Sequence, residues 1–280
     1  MNIAVIMACH NRKEKTAICL SSLYKQEGLD FRFKLSIFLL DDNSTDGTSD
    51  YVSSFFPKVH LINGDGNLYW NRGMYKAWES AYKSNLSFDF YLWLNDDTFL
   101  YPNALNILID SAQQTDFKSI ICSSICSTLD DRKMTYGGCK LIGSSSYPNY
   151  PNGKLQLCDL INGNCVLIHH SIFLKVGNLD RTFHHAIGDN DYGLRAKKMG
   201  ILSFSTGYFV GTCHEGHSPD WCNYKLPLII RFRNLYSPLG NAEPIKYFIY
   251  QYRHFGLFRA IFTFISSHIR LLLPQLWQKI

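Results

Sequence analysis

The side chains able to do chemistry lie in short polar clusters, most of them placed directly after an apolar run. Asn95-Asp96-Asp97 follows Phe-Tyr-Leu-Trp-Leu. Adjacent carboxylates repel unless a cation or a donor lies beside them. A hard divalent ion, Mn²⁺ or Mg²⁺, takes such oxygen ligands and keeps positions open for nucleotide phosphates. A solvated turn with an Asp capping the helix after Pro102 accounts for the same residues equally well. Residues 41–48, Asp-Asp-Asn-Ser-Thr-Asp-Gly-Thr, suit a turn and a helix cap. One of their carboxylates could equally accept the imide N–H of uracil or thymine.

Residues 64–73 hold glycines that permit close backbone approach to a ligand, with Arg72 near the start of a helical pattern. There is no Gly-Lys-Ser/Thr, so this is not a Walker loop. Gly188-Asp189-Asn190-Asp191 opens another helix. Asp191 sits where an N-cap belongs. Asp189, one step outside, is left to face a cleft and take a proton from a hydroxyl. Cys213-His214-Glu215-Gly216-His217 offers imidazoles for a borderline metal. A zinc site from Cys213, His217 and Cys222 matches no common spacing. His169-His170 and His184-His185 have no evident role, and Cys122 and Cys126 read as small core residues.

These clusters need elements to hold them. Apolar runs at 3–7, 35–40, 59–62 and 90–94 predict buried strands, and helical patterns at 13–26, 47–55, 68–84 and after Pro102 alternate with them. Thr45 or Asp46 can cap the second helix. Such alternation predicts an α/β fold with a parallel, doubly wound sheet, whose ligands sit beyond the carboxyl ends of the strands. Further on, strands are predicted at 119–127, 133–141, 164–168 and 201–209, a loop at 143–153, and a helix at 191–199. The division expected is a catalytic domain at 1–240, with a nucleotide-binding half at 1–117 and an acceptor half at 118–240. An aromatic, basic helical tail at 241–280 follows.

Composition narrows the function class. The chain has 280 residues, 46% of them hydrophobic and 18% charged, so it can bury a core. A net charge of +5 argues against nucleic acid as a partner. Nine scattered cysteines and no basic leader suggest the reducing cytoplasm. No stretch reaches the roughly 20 apolar residues of a membrane span. The tail interleaves aromatics with basic residues, which suits either a peripheral membrane contact or packing on the core or across a homodimer.

Taken together, the segments 8–12, 40–48, 94–97 and 188–195, with His214, resemble the family 2 glycosyltransferases of GT-A fold, a Rossmann-like, mostly parallel sheet flanked by helices. The resemblance spans roughly the first 220 residues. It implies an inverting transfer of a sugar from a UDP- or dTDP-sugar to a glycan acceptor, lipid-linked as in O-antigen or other surface-polysaccharide synthesis. Asp42 would meet the base, with Ala8, His10, Arg12, Asn67, Trp70, Arg72 and Gly73 around the nucleotide and Asp96 near the ribose or sugar. Asp97 would hold Mn²⁺ or Mg²⁺, with His214 as the C-terminal ligand. Asp189 would be the catalytic base. The turn 66–70 is similar to that of rhamnosyl- and galactofuranosyltransferase-like members. Two departures stand out: Asn95 replaces the first Asp of the usual Asp-x-Asp, and Gly188-Asp189 replaces Glu-Asp. The rival readings are a nucleotide-sugar-binding or glycan-binding module without turnover, and a nucleotidyltransferase. The latter would need glycines that residues 8–12 lack.

Overall fold

The structure, a computed structural model, describes residues 1–143, 145–216, 220–240 and 243–276. Along the chain run β1 (Asn2–Cys9), α1 (Lys13–Tyr24), β2 (Lys34–Asp41), α2 (Thr48–Phe55), β3 (His60–Asn63), α3 (Tyr69–Lys83), β4 (Phe90–Leu94), β5 (Phe99–Leu100) and α4 (Ala104–Gln113). Then come β6 (Ile120–Ser127), β7 (Met134–Tyr136), β8 (Cys139–Ile142), β9 (Ser145–Pro148), β10 (Gln156–Cys158), β11 (Cys165–His169), α5 (His170–Val176), α6 (Gly188–Lys198) and β12 (Ser203–Cys213). Helices α7 (Leu228–Leu235), α8 (Pro244–Phe255) and α9 (Leu257–Leu272) complete it.

The main sheet has the order β10-β12-β6-β11-β4-β1-β2-β3. Strands β1 to β4 are mutually parallel where they pair, and β12 is parallel to β6. Strand β11 alone among the long strands is reversed, antiparallel to both β4 and β6. Every residue of β4 and β6 is buried, as expected of strands covered on both faces. One face packs Trp78 of α3 against Tyr91, Trp93, Phe173 and Tyr192. Helix α3 approaches closely because Gly73 faces the sheet: a Cβ there would lie 3.0 Å from that of Ala8 and 3.3 Å from Leu40.

Three expectations are corrected. The strand expected at 133–141 is two, broken at Gly138, where a Cβ would lie 2.2 Å from Ser205 Oγ. The loop expected at 143–153 contains β9, which pairs with β8 in a two-stranded hairpin apart from the main sheet. Helix α6 starts at Gly188, so Asp189 and Asp191 both lie in its first turn. Asp191 is therefore not an N-cap. It is fully buried and pairs with Arg195 of its own helix and with Arg253 and His254 of α8. Part of the tail is thus bolted to α6, as the core-packing alternative has it.

Candidate active site

The reversal of β11 decides what reaches the site. The carboxyl ends of β1, β2, β4 and β12 lie at one sheet edge, and a reversed strand brings its amino end to that same edge. Gly163 and Asn164 therefore face the acidic turn, and Asn95 N–H donates to Asn164 O at 2.9 Å.

Asp42, at the end of β2, spends its carboxylate on a turn. Gly66 N–H donates to Oδ1 at 2.8 Å, and Leu68 and Tyr69 N–H donate to Oδ2 at 2.9 and 3.0 Å. Its backbone oxygen accepts from His10 Nδ1–H at 2.6 Å. Asp46 accepts from Lys13 N and Thr48 N, so it serves the starts of two helices. Asn67 is exposed, its N–H bonded to Asp65.

In the acidic turn, Arg12 Nη1 donates to Asp96 Oδ1 at 3.0 Å and to Asp97 Oδ2 at 2.8 Å. Asp96 is 4% exposed, and its Oδ2 is buried with no hydrogen-bond partner among the described residues. Burial pushes its pKa up to about 7 against the pull of Arg12. Asp97 Oδ1 accepts a 3.7 Å contact from Cys213 Sγ, which places the end of β12 beside the turn.

Trp70 joins this turn to Asp189. Its Nε1–H donates to Asn95 Oδ1 at 2.6 Å. Its ring lies on Gly163, where an added Cβ would be 2.4 Å from Cζ2. Gly163 N–H in turn donates to Asp189 Oδ2 at 2.8 Å, and Asn190 N–H and Nδ2 donate to Oδ1 at 2.8 and 3.2 Å. Asp189 is 8% exposed, and burial raises its pKa while these donors oppose the rise. It is gripped within the helix rather than lying free outside it. The residue before the helix, Ile187, has φ +79°, a strained position for a β-branched side chain.

Other expected residues fall at varying distance from this centre. Gly73 and Ala8 meet at the helix–sheet contact. Arg72 Nε–H donates to Arg181 O at 3.0 Å. His214 is exposed and shares a proton with Thr128 Oγ1 through Nδ1 at 2.8 Å. Among the described residues no three His, Cys, Asp or Glu side chains close on one metal position. His217 lies outside them. The histidine pairs acquire roles: His170 bonds Tyr91, His169 accepts from Ser171 N, and His184 pairs with Glu243.

Sequence reading missed Gly163, whose neighbours are remote in the chain. It also missed Asn71, on which Gly188 rests: a Cβ there would be 1.7 Å from Asn71 Oδ1. His185 was named without a role. Its Nδ1 is buried without a partner among the described residues, and burial, then the nearby Arg12 charge, lowers its pKa.

The glycosyl transferase family 2 model matches residues 4–180, the stretch that carries the nucleotide-side turns and the acidic turn. The chain belongs to glycosyl transferase family 2. It is therefore a glycosyltransferase. It is 24% identical over 250 residues to the N-acetylglucosaminyl-diphospho-decaprenol L-rhamnosyltransferase of Mycobacterium tuberculosis, covering 81% of this chain and 78% of that protein. An uncharacterized glycosyltransferase of Rickettsia prowazekii is 23% identical over 217 residues, covering 72% of this chain and 61% of that one. Among solved structures, S. aureus TarS superposes with a TM-score of 0.59 at 12% identity, covering 99% of this chain and 53% of TarS. The mannosyltransferase PcManGT from Pyrobaculum calidifontis, in complex with GDP-Man and Mn²⁺, gives 0.55 at 13%, covering 95% and 75%. These likenesses establish the GT-A fold for the family 2 chain.

The donor set of this glycosyltransferase fits a divalent cation. Asp96 Oδ2 is a buried acceptor lacking a donor among the described residues, Asp97 is next to it in the chain, and both carboxylates face one cationic group, Arg12. Two carboxylates, with remaining positions left to phosphate and water, are the usual protein share of a Mg²⁺-type site.

Proposed function

We propose that this glycosyltransferase moves a sugar, with inversion, from a UDP- or dTDP-sugar to a hydroxyl of a lipid-linked glycan. One observation carries the reading. The Trp70 indole ties the acidic turn, through Asn95, to the Gly163 backbone that holds Asp189. Leaving-group site and base are then set by one rigid side chain. The relative acting on a decaprenol-linked glycan supports the acceptor class.

Asp97 and Asp96 would hold Mn²⁺ or Mg²⁺, with His214 Nε2 the candidate further ligand once Nδ1–H donates to Thr128. When bound, the metal supplies neutralisation of the charge developing on the leaving diphosphate. Arg12 is free to exchange a carboxylate for a phosphate oxygen. Asp42, by fixing the turn 66–69, shapes the nucleotide pocket entered by His10, Asn67 and Arg72. Asp189, made more basic by burial, accepts the proton of the acceptor hydroxyl. The new C–O bond forms as the bond to the diphosphate breaks, and the nucleoside diphosphate leaves.

The protein works at the inner face of the cytoplasmic membrane, held there by α9. Phe258, Ile261, Phe262, Ile265, Ile269 and Leu272 recur at helical spacing and are all exposed, Phe258 by 91%. Arg259 and Arg270 share the adjoining strip, and residues 244–276 contain four Lys or Arg and no Asp or Glu. That is the pattern of a helix lying in an anionic interface. No helix among the described residues is long and apolar enough to cross the membrane.

Nucleoside diphosphate release from a panel of UDP- and dTDP-sugars with Mn²⁺, read beside thermal shift, tests the reading. Asp189→Asn should abolish transfer while leaving donor binding near wild type. Full activity in that variant would remove Asp189 as the base. Donor binding without release under any condition would favour a non-catalytic module.

A further inference from the structure

The first turn of α3 holds the segment that leads into α6. Asn71 is fully buried. Its Nδ2 donates to Asp180 O at 2.8 Å and to Phe183 O at 2.9 Å. Both acceptors are carbonyls, so the amide nitrogen must face residues 180–183 and Oδ1 must face away from them. The main chain repeats the grip. Asn71 and Arg72 N–H both donate to His184 O, at 3.0 and 3.4 Å, and Arg72 Nε–H donates to Arg181 O at 3.0 Å.

The free end of the amide meets the start of α6. Asn71 Oδ1 is buried and has no hydrogen-bond partner among the described residues. A Cβ on Gly188 would lie 1.7 Å from Oδ1 and 2.5 Å from Cγ. The amide therefore fills the volume that a side chain at 188 would need. Ile187, one residue earlier, has φ +79° and ψ −25°. A β-branched residue keeps that conformation only where its surroundings impose it. A buried amide oxygen without a donor weakens a fold, so stability alone does not account for an asparagine at 71.

We infer that Asn71 is a positioning residue for Asp189. Its amide, wedged between the carbonyls of 180 and 183 and the backbone of Gly188, sets the strained step into α6 and with it the direction of the carboxylate. Trp70 acts on the same carboxylate from the other side, through Gly163 N–H. Two consecutive residues of one helical turn thus place Asp189, Trp70 through its hydrogen-bond donor and Asn71 through its main chain. The wedge also accounts for glycine at 188, where this family usually has glutamate. The inference rests on the reading of Asp189 as base.

Asn71→Ala and Gly188→Ala, singly and together in the full chain, test it. Nucleoside diphosphate release from the UDP- and dTDP-sugar panel with Mn²⁺ gives kcat and donor KM. Assays run well below the lowest melt, so the folded fraction does not enter. Asn71→Ala should lower kcat about tenfold or more with donor KM within about threefold, because a displacement of ~1 Å can cost about 10²-fold in rate. Gly188→Ala should lose more. Adding Asn71→Ala to it should recover activity, since the methyl then takes the place of the amide. Where Gly188→Ala alone does not fold, the double variant should. Hydrogen exchange needs no donor, and residues 184–189 should exchange faster in Asn71→Ala. Wild-type kcat or unchanged exchange in Asn71→Ala overturns the positioning role, as does a double variant no better than Gly188→Ala. Full activity in Asp189→Asn, beside faster exchange in Asn71→Ala, would keep the wedge and defeat the reading of Asp189 as base instead.

Discussion

Trp70 and Asn95 share a 2.6 Å hydrogen bond, indole N–H to amide oxygen. This explains why the first position of the acidic turn is satisfied by an amide. Asn95 orients the indole and is not needed as a third anion beside Asp96 and Asp97. Asn95→Ala removes the acceptor from a partly buried donor, which costs about 1–3 kcal/mol. The melting temperature should fall by several degrees, and the donor KM should rise. An unchanged melt and KM would show that the bond positions nothing.

Gly163→Ala tests the other end of the same indole. The new methyl would lie 2.4 Å from Cζ2 of Trp70 and 3.3 Å from Asp189 Cβ. Overpacking of this kind costs about 1–3 kcal/mol. Here it should also shift the base, so kcat should drop more than donor binding weakens. Steady-state kinetics beside a denaturant melt would separate the two effects.

Asp96 makes stability depend on pH. Its folded pKa, raised to about 7 by burial, lies above that of an ordinary aspartate, about 3.9, so between those values the folded chain holds a proton that the unfolded chain has lost. Stability should therefore fall as pH rises from about 4 to 7, at up to 1.36 kcal/mol per unit from this group. Asp96→Asn should flatten that decline. Mn²⁺ should reverse it, because the metal takes the deprotonated carboxylate. Melts across this pH range with and without Mn²⁺ provide the check.

Asp191 is the anchor for α8. It is buried, and although burial would raise its pKa, His254 and Arg195 hold it below the usual range. Asp191→Ala takes the shared buried acceptor from Arg195, Arg253 and His254, leaving Arg253 only Asp180, and should cost about 3–5 kcal/mol. Arg253→Gln, at a partly exposed site that keeps His254 and Arg195 in place, should cost less. Hydrogen exchange should show residues 244–255 losing protection first in the Asp191 variant.

The outward face of α9 predicts lipid binding. Phe258→Ser with Phe262→Ser should strongly reduce flotation with vesicles containing anionic lipid while leaving the melt nearly unchanged. Equal flotation of variant and wild type would dispose of the membrane contact. Concentration-dependent sedimentation lost in the same variant would point to a homodimer.

The sequence by itself determined the alternation of strand and helix through residue 113, the polar turns at 9–12, 41–48 and 95–97, and the family. These are local signals: an apolar run of strand length reports burial on both faces, and turn residues report where it stops. It did not determine partners. Asp191 looked like a cap because an acid at a helix start usually is one, yet its stabilisation comes from Arg253 and His254, 62 and 63 residues away. Asp42 reads locally as part of its own turn, while the turn its carboxylate holds lies 24 to 27 residues on. Only the tertiary structure reversed β11, and that reversal brings Gly163 under Trp70 and against Asp189. No periodicity encodes it, because strand direction is set by which edges pair, and pairing is a contact between segments distant in the chain.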